Sequence, residues 1–204
     1  MEVQQNGPTD GPVYIFAHGA GADMNSEFMT LVAEKLAEKG IRVIRFNFPY
    51  MIKRAEDGKR RPPGKMDVLK ESYINRIKQY STELPLFIGG KSMGSRVAAM
   101  IAGEDKVSGV ICIGYPFHPQ KKPEKLRLEP LQNTDKPVVI VQGDRDVLGN
   151  KVEINDYDLA NNINVHFVED GDHDLKPRVK SGFTHLQHKI TAANRIKTFI
   201  EEQS

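Results

Sequence analysis

The chain has 204 residues, 39% of them hydrophobic and 27% charged, and its formal net charge is +2. That composition fits one globular domain over residues 1–204, and the charge is too small to point to nucleic acid or a membrane surface. Cys112 is the only cysteine and sits in an apolar run, which excludes a disulfide framework and makes a reducing, cytoplasmic setting the expectation.

Residues 1–11 are polar and lack the charged-then-apolar pattern of a signal peptide. No apolar run reaches the roughly 20 residues of a membrane helix, so no membrane partner is expected. Residues 13–17 (Val-Tyr-Ile-Phe-Ala) form a continuous apolar run, the mark of a strand buried on both faces. His18-Gly19-Ala20-Gly21 follows at once. Ser26 can cap a helix with Phe28, Leu31, Val32 and Leu36 on one face, and Gly40 stops it. Residues 42–48 are the next strand, ended by Pro49. Strand, helix and strand with short connections make a βαβ unit, so a parallel sheet is expected.

Residues 49–65 read as a basic loop rich in Lys, Arg, Pro and Gly, followed by a helix over 67–80. Residues 86–88 are a short apolar strand, and 93–102 are helical with many small residues. Between them stands Gly90-Lys91-Ser92-Met93-Gly94, a G-x-S-x-G on a strand-to-helix turn, the context in which this motif is a nucleophile elbow. Strands are predicted at 109–114, 137–142 and 163–168, with a Pro-rich stretch over 115–135, a weak helix over 152–161 and a last helix over 188–202. The whole is α/β: about six mostly parallel strands, helices on both faces and no separate cap domain.

A free serine hydroxyl is a poor nucleophile near neutral pH and needs a base within hydrogen-bond reach. Histidine titrates in the right range, and a carboxylate can fix its tautomer. Loops leaving strand ends offer Ser92, then Asp144 and Asp146, then His173. His173 follows the last strand, while His188 is expected on the last helix facing solvent. Oxyanion donors are expected from the backbone N–H groups of Met93 and Ala20. His18 reads as a loop brace. Asp172 and Asp174 read as turn formers. Lys91 has no evident role in the sequence.

Seven short stretches in order resemble the α/β-hydrolase superfamily: Phe16-Ala17-His18-Gly19-Ala20-Gly21, Phe48-Pro49-Tyr50-Met51, Arg60-Arg61-Pro62-Pro63, the elbow, Gly114-Tyr115-Pro116-Phe117-His118-Pro119, Gln142-Gly143-Asp144-Arg145-Asp146 and Gly171-Asp172-His173. Within it they are similar to the small hydrolases of the Tex30 group and the regulatory subunit of a histone acetyltransferase complex. The resemblance implies a Ser-Asp-His triad and favours Asp146 over Asp144 as its acid. The full superfamily sheet has eight strands, and no clear strand pair precedes Val13.

The expected function is a serine hydrolase cleaving a small ester or thioester, with no cofactor and no metal. Arg54, Arg60 or Arg61 of the basic loop, with His118, would select an anionic substrate. The competing view of that loop is a solvated surface. The alternative for the whole chain is a non-catalytic interaction module on the same fold.

Overall fold

A computed structural model describes residues 3–204; Met1 and Glu2 of the polar N-terminal stretch lie outside the described residues. Among the described residues seven strands form one sheet: β1 (Val3–Asn6), β2 (Val13–Ala17), β3 (Arg42–Phe46), β4 (Leu86–Lys91), β5 (Val107–Ile113), β6 (Val138–Gly143) and β7 (Ile163–Val168). Their order is β1-β3-β2-β4-β5-β6-β7. β2 to β7 run parallel, and β1 pairs antiparallel with β3, Val3 opposite Phe46 and Asn6 opposite Val43.

β1 was not expected. Val-Gln-Gln-Asn has no apolar run because an edge strand is covered on one side only, and three of its four residues are half-buried. Further in, β2 is buried throughout and β3 everywhere except Arg42.

The helices are α1 (Glu27–Ala37), α2 (Pro49–Asp57), α3 (Met66–Tyr80), α4 (Met93–Met100), α5 (Glu129–Gln132), α6 (Lys151–Asn155) and α7 (His185–Glu202). Strand residues alternate between the two layers. Tyr14, Phe16, Val43, Phe87 and Ile111 face α1 and α7, while Val13, Ile15, Ile44, Ile88 and Val110 face the layer of α3 and α4.

Three local expectations need correcting. The first half of the stretch read as a loop is α2. Pro49 stands at its first position, where proline's fixed φ and missing N–H suit a helix start. Ser26 occupies the N-cap of α1 but makes no side-chain cap bond. α7 begins a turn earlier than predicted, where Thr184 and Gln187 form a reciprocal capping box. His188 therefore points inward. It is buried, and its Nδ1 lies 2.8 Å from the Leu175 carbonyl.

The topology places the site. From β2 the chain steps outward to β3, then returns to β4 on the other side of β2. α1, after β2, covers one face, and α4, after β4, covers the other. The loops leaving β2 and β4 therefore diverge above two adjacent strands. Such a switch point opens a crevice at the carboxyl edge of the sheet.

Candidate active site

The elbow is built by backbone crowding. Ser92 follows β4 directly and has φ +52°, a left-handed conformation that costs energy for a side-chain-bearing residue. The glycines on either side are required by space rather than by φ. A Cβ on Gly90 would stand 2.6 Å from the Ala17 carbonyl oxygen, and one on Gly94 would stand 2.5 Å from the same oxygen. The turn can close only if β4 and α4 touch the end of β2 backbone to backbone.

His173 comes from the loop after β7. Its Nε2 lies 2.8 Å from Ser92 Oγ, and its Nδ1 lies 2.8 Å from Asp146 Oδ2. A carboxylate only accepts, so Nδ1 carries the proton and Nε2 faces the serine as an acceptor. Asp146 is fully buried and its oxygens are occupied. Oδ1 accepts from the Leu148 N–H at 2.8 Å, and Oδ2 accepts from Gln142 Nε2 at 2.9 Å as well as from His173. Of the two candidate acids, Asp146 meets the histidine. Asp144 is held by its backbone to Val168 and Lys151.

The loop after β2 is braced from beneath. Burial pushes the His18 imidazole below its ordinary pKa, which keeps it neutral. Its Nδ1 then donates to the Gly19 carbonyl at 2.6 Å, and its Nε2 accepts from the Phe48 N–H at 3.0 Å. The Tyr50 hydroxyl lies 3.2 Å from the same Gly19 carbonyl and 3.0 Å from that of Ala20. In a trans peptide the Gly19 C=O and the Ala20 N–H point in opposite directions. Fixing the carbonyl therefore fixes the N–H. Neither the Ala20 nor the Met93 N–H donates to a partner among the described residues, and Met93 opens α4, where the first amides of a helix are unpaired.

Lys91 is buried. Its Nζ donates to the His173 carbonyl at 2.7 Å and pairs with Asp174 Oδ1 at 3.0 Å. One residue upstream of the serine, it clamps the histidine loop to the elbow. Asp172 has the turn-forming role expected of it, with Oδ1 accepting from the N–H groups of Asp174 and Lys176. Asp174 does not share that role, since its carboxylate pairs with Lys91.

Two cavities open on Ser92. One, of about 550 Å³, is lined by Lys91, His173, Asp174, His185 and Phe28 among others. The other, of about 600 Å³, is lined by Met66, Leu69, Met93, Arg96 and Arg127, with Pro62 to Lys65 at its rim. The basic 49–65 stretch and the Pro-rich 115–135 stretch both contribute to this second cavity. The residues expected to select the substrate do not. Arg54 faces a neighbouring hollow and lies 3.4 Å from the Gly21 carbonyl. Arg60 is exposed, and Arg61 is paired with Asp57 at 2.6 Å. His118 is buried, its Nδ1 3.0 Å from the Pro119 carbonyl and its Nε2 3.5 Å from Glu153. None of the four lines a cavity at Ser92. α2 carries Arg54 away from the serine, and the Asp57 pair holds Arg61 at the helix end.

Sequence reasoning missed Tyr50, Gln142, Arg96 and Arg127. Arg96 had a usable signal, because it lies four residues after Ser92 and so one turn along the same helix face. Arg127, in an irregular Pro-rich stretch, had none.

The family described as alpha/beta hydrolase domain matches residues 10–201, and the chain belongs to that family. Solved structures similar to it include Est1E from Butyrivibrio proteoclasticus with bound ferulic acid (17% identity, TM-score 0.72, covering 98% of this chain and 94% of that one). A second is an alpha-beta serine hydrolase homologue from Coxiella burnetii (18% identity, TM-score 0.66, 95% and 90% covered). A third is an a/b serine hydrolase without lid from Xanthomonas campestris (19% identity, TM-score 0.59, 93% and 87% covered). At these identities the likeness shows the fold. Among the described residues no helix is long and apolar enough to cross a membrane.

Proposed function

We propose that this chain is a serine hydrolase that cleaves an ester or thioester through an acyl intermediate on Ser92. One observation carries the reading: the unbroken hydrogen-bonded line from Ser92 Oγ through His173 to buried Asp146, at 2.8 Å in each step. Ser92 attacks the carbonyl carbon and gives its proton to His173 Nε2. Asp146 stabilises the imidazolium that results. The oxyanion is met by the N–H groups of Ala20 and Met93. Collapse breaks the bond to the alcohol or thiol, which leaves with the proton held by His173. Water, deprotonated by the same histidine, then attacks the acyl-serine and releases the acid. Esterases and serine hydrolases among the similar structures support the class of reaction. The seven sequence stretches further support placing the chain with the small hydrolases of the Tex30 group.

A fluorophosphonate probe tests this. It should label the wild type and leave Ser92→Ala unlabelled, and wild type should hydrolyse short 4-nitrophenyl esters. Absence of both labelling and hydrolysis in folded protein would refute the reading.

A further inference from the structure

The two cavities at Ser92 differ in charge and in their relation to His173. In acyl transfer the histidine that takes the serine proton must hand it to the leaving atom. The leaving group therefore lies on the side where His173 lines the wall, the cavity with Lys91 and His185. The second cavity touches Ser92 and Met93 but not His173, and it is the side left for the acyl chain. Met66, Leu69 and Leu148 give it apolar lining.

Arg96 and Arg127, both half-buried, line the same cavity. Lys65 adds a third cation, and among the described residues no carboxylate lines this cavity. Among the described residues the Arg96 guanidinium has no hydrogen-bond or ion-pair partner. Among the described residues the only hydrogen-bond partner of the Arg127 guanidinium is the Pro116 carbonyl, 3.4 Å from Nη1. Burial, and then the charge of Arg96, push the Arg127 guanidinium below its ordinary pKa. The Arg127 backbone is nevertheless pinned. Its N–H donates to the Phe117 carbonyl at 2.8 Å, and its carbonyl accepts from the Tyr115 hydroxyl at 2.9 Å. Two like charges are thus held beside one cavity with no counter-charge among the described residues that line it, an arrangement an entering anion would relieve.

We propose that Arg96 and Arg127 bind the terminal carboxylate of the acyl group, so that the preferred substrates are esters or thioesters of a dicarboxylic acid's half-acid. The proposal rests on the hydrolase reading above. It places anion selection on the elbow helix and the 115–135 stretch instead of the 49–65 loop. Arginine suits the task because its planar fork can meet a carboxylate through two parallel bonds.

The test compares the 4-nitrophenyl half-ester of adipic acid with the same molecule capped as its methyl ester. The pair differ in the terminal charge and one methyl group. Wild type should favour the free carboxylate in kcat/KM by about 10- to 100-fold, the scale of a charge-assisted contact. In Arg96→Gln and in Arg127→Gln that ratio should fall towards one. The ratio is taken within one protein sample, so a partly folded variant does not distort it. Free adipate should also slow fluorophosphonate labelling of wild type and not of either variant, which reads the same site without turnover. A wild-type ratio near one, or a ratio unchanged in both variants, overturns the proposal while ester hydrolysis itself stands. If neither ester is cleaved and Ser92 does not label, the hydrolase reading fails and this proposal falls with it.

Discussion

Lys91 Nζ donates to the main-chain carbonyl of His173 across 2.7 Å, joining the residue before the nucleophile to the residue opposite it. The contact spans 82 positions of sequence and is made to backbone, so it fixes where the histidine loop sits rather than how the ring is charged. Phe28 covers the ammonium from one side at 5.8 Å, and Asp174 holds it from another.

Lys91→Met keeps the length and volume of the stem and removes the donor. The expected result is a fall in kcat of about 10-fold on a neutral ester, since small misplacement of a catalytic group costs this much or more. KM should stay within a factor of two. Stability should fall by about 1–2 kcal/mol for a buried carbonyl left unpaired. Unchanged kcat with lowered stability would show that the clamp supports the fold alone.

Asp170 holds the other end of the same loop. It has φ +53°, and its carboxylate accepts from the Arg178 N–H at 2.7 Å and from the Arg178 guanidinium, with Arg145 Nε 3.0 Å away. The Arg178 hydrogen bonds pull its pKa down from 3.8 to about 2. A depressed carboxylate contributes stability that is complete above about pH 4 and lost as pH falls towards 2. Asp170→Asn keeps a residue that tolerates the left-handed backbone and removes the charge. Urea midpoints should show the variant below wild type at pH 6, the gap narrowing below pH 4 and closing only as pH falls to about 2. Parallel curves over that range would remove Asp170 from the acid response.

How much of this could be read from the chain depends on whether each feature is local. β2, β4, β5 and β6 announce themselves because strands buried on both faces read as near-continuous apolar runs, and half-buried β7 shows by its alternation. β1 does not, since Val3–Asn6 needs cover on one side only. The elbow is legible because its glycines and serine fall within five consecutive residues between a strand and a helix. Ser92, Asp146 and His173 each follow a strand that can be recognised. What supports them is different. Tyr50 under the Gly19 carbonyl and Lys91 on the His173 carbonyl are contacts between distant segments, and no spacing encodes them, while Gln142 reaches Asp146 only through the turn that leaves β6. The basic loop misled for the same reason. Its arginines are dense in sequence, but α2 and the Asp57–Arg61 pair turn them aside, while Arg96 and Arg127, far apart in the chain, meet at the cavity.

The closeness of the elbow to β2 yields the last prediction. A Cβ at position 94 would lie 2.5 Å from the Ala17 carbonyl oxygen and 2.7 Å from that of His18. Both atoms are backbone, at the root of the loop that carries Ala20, and neither can yield as a flexible side chain would. Gly94→Ala must therefore push α4 away from β2 and separate the N–H groups of Met93 and Ala20. Stability should drop by about 1–3 kcal/mol, the usual cost of overpacking. The rate of fluorophosphonate labelling should fall at least about 10-fold, as expected when preset donors are displaced. Gly103 provides the control. A Cβ there meets nothing within 4 Å and its φ is not left-handed, so Gly103→Ala should be neutral or stabilising by a few tenths of a kcal/mol. Chemical denaturation and labelling kinetics on the two alanine variants decide the matter. Equal behaviour would mean that the contact between elbow and strand can relax, and that Gly94 does not set the spacing of the two donors.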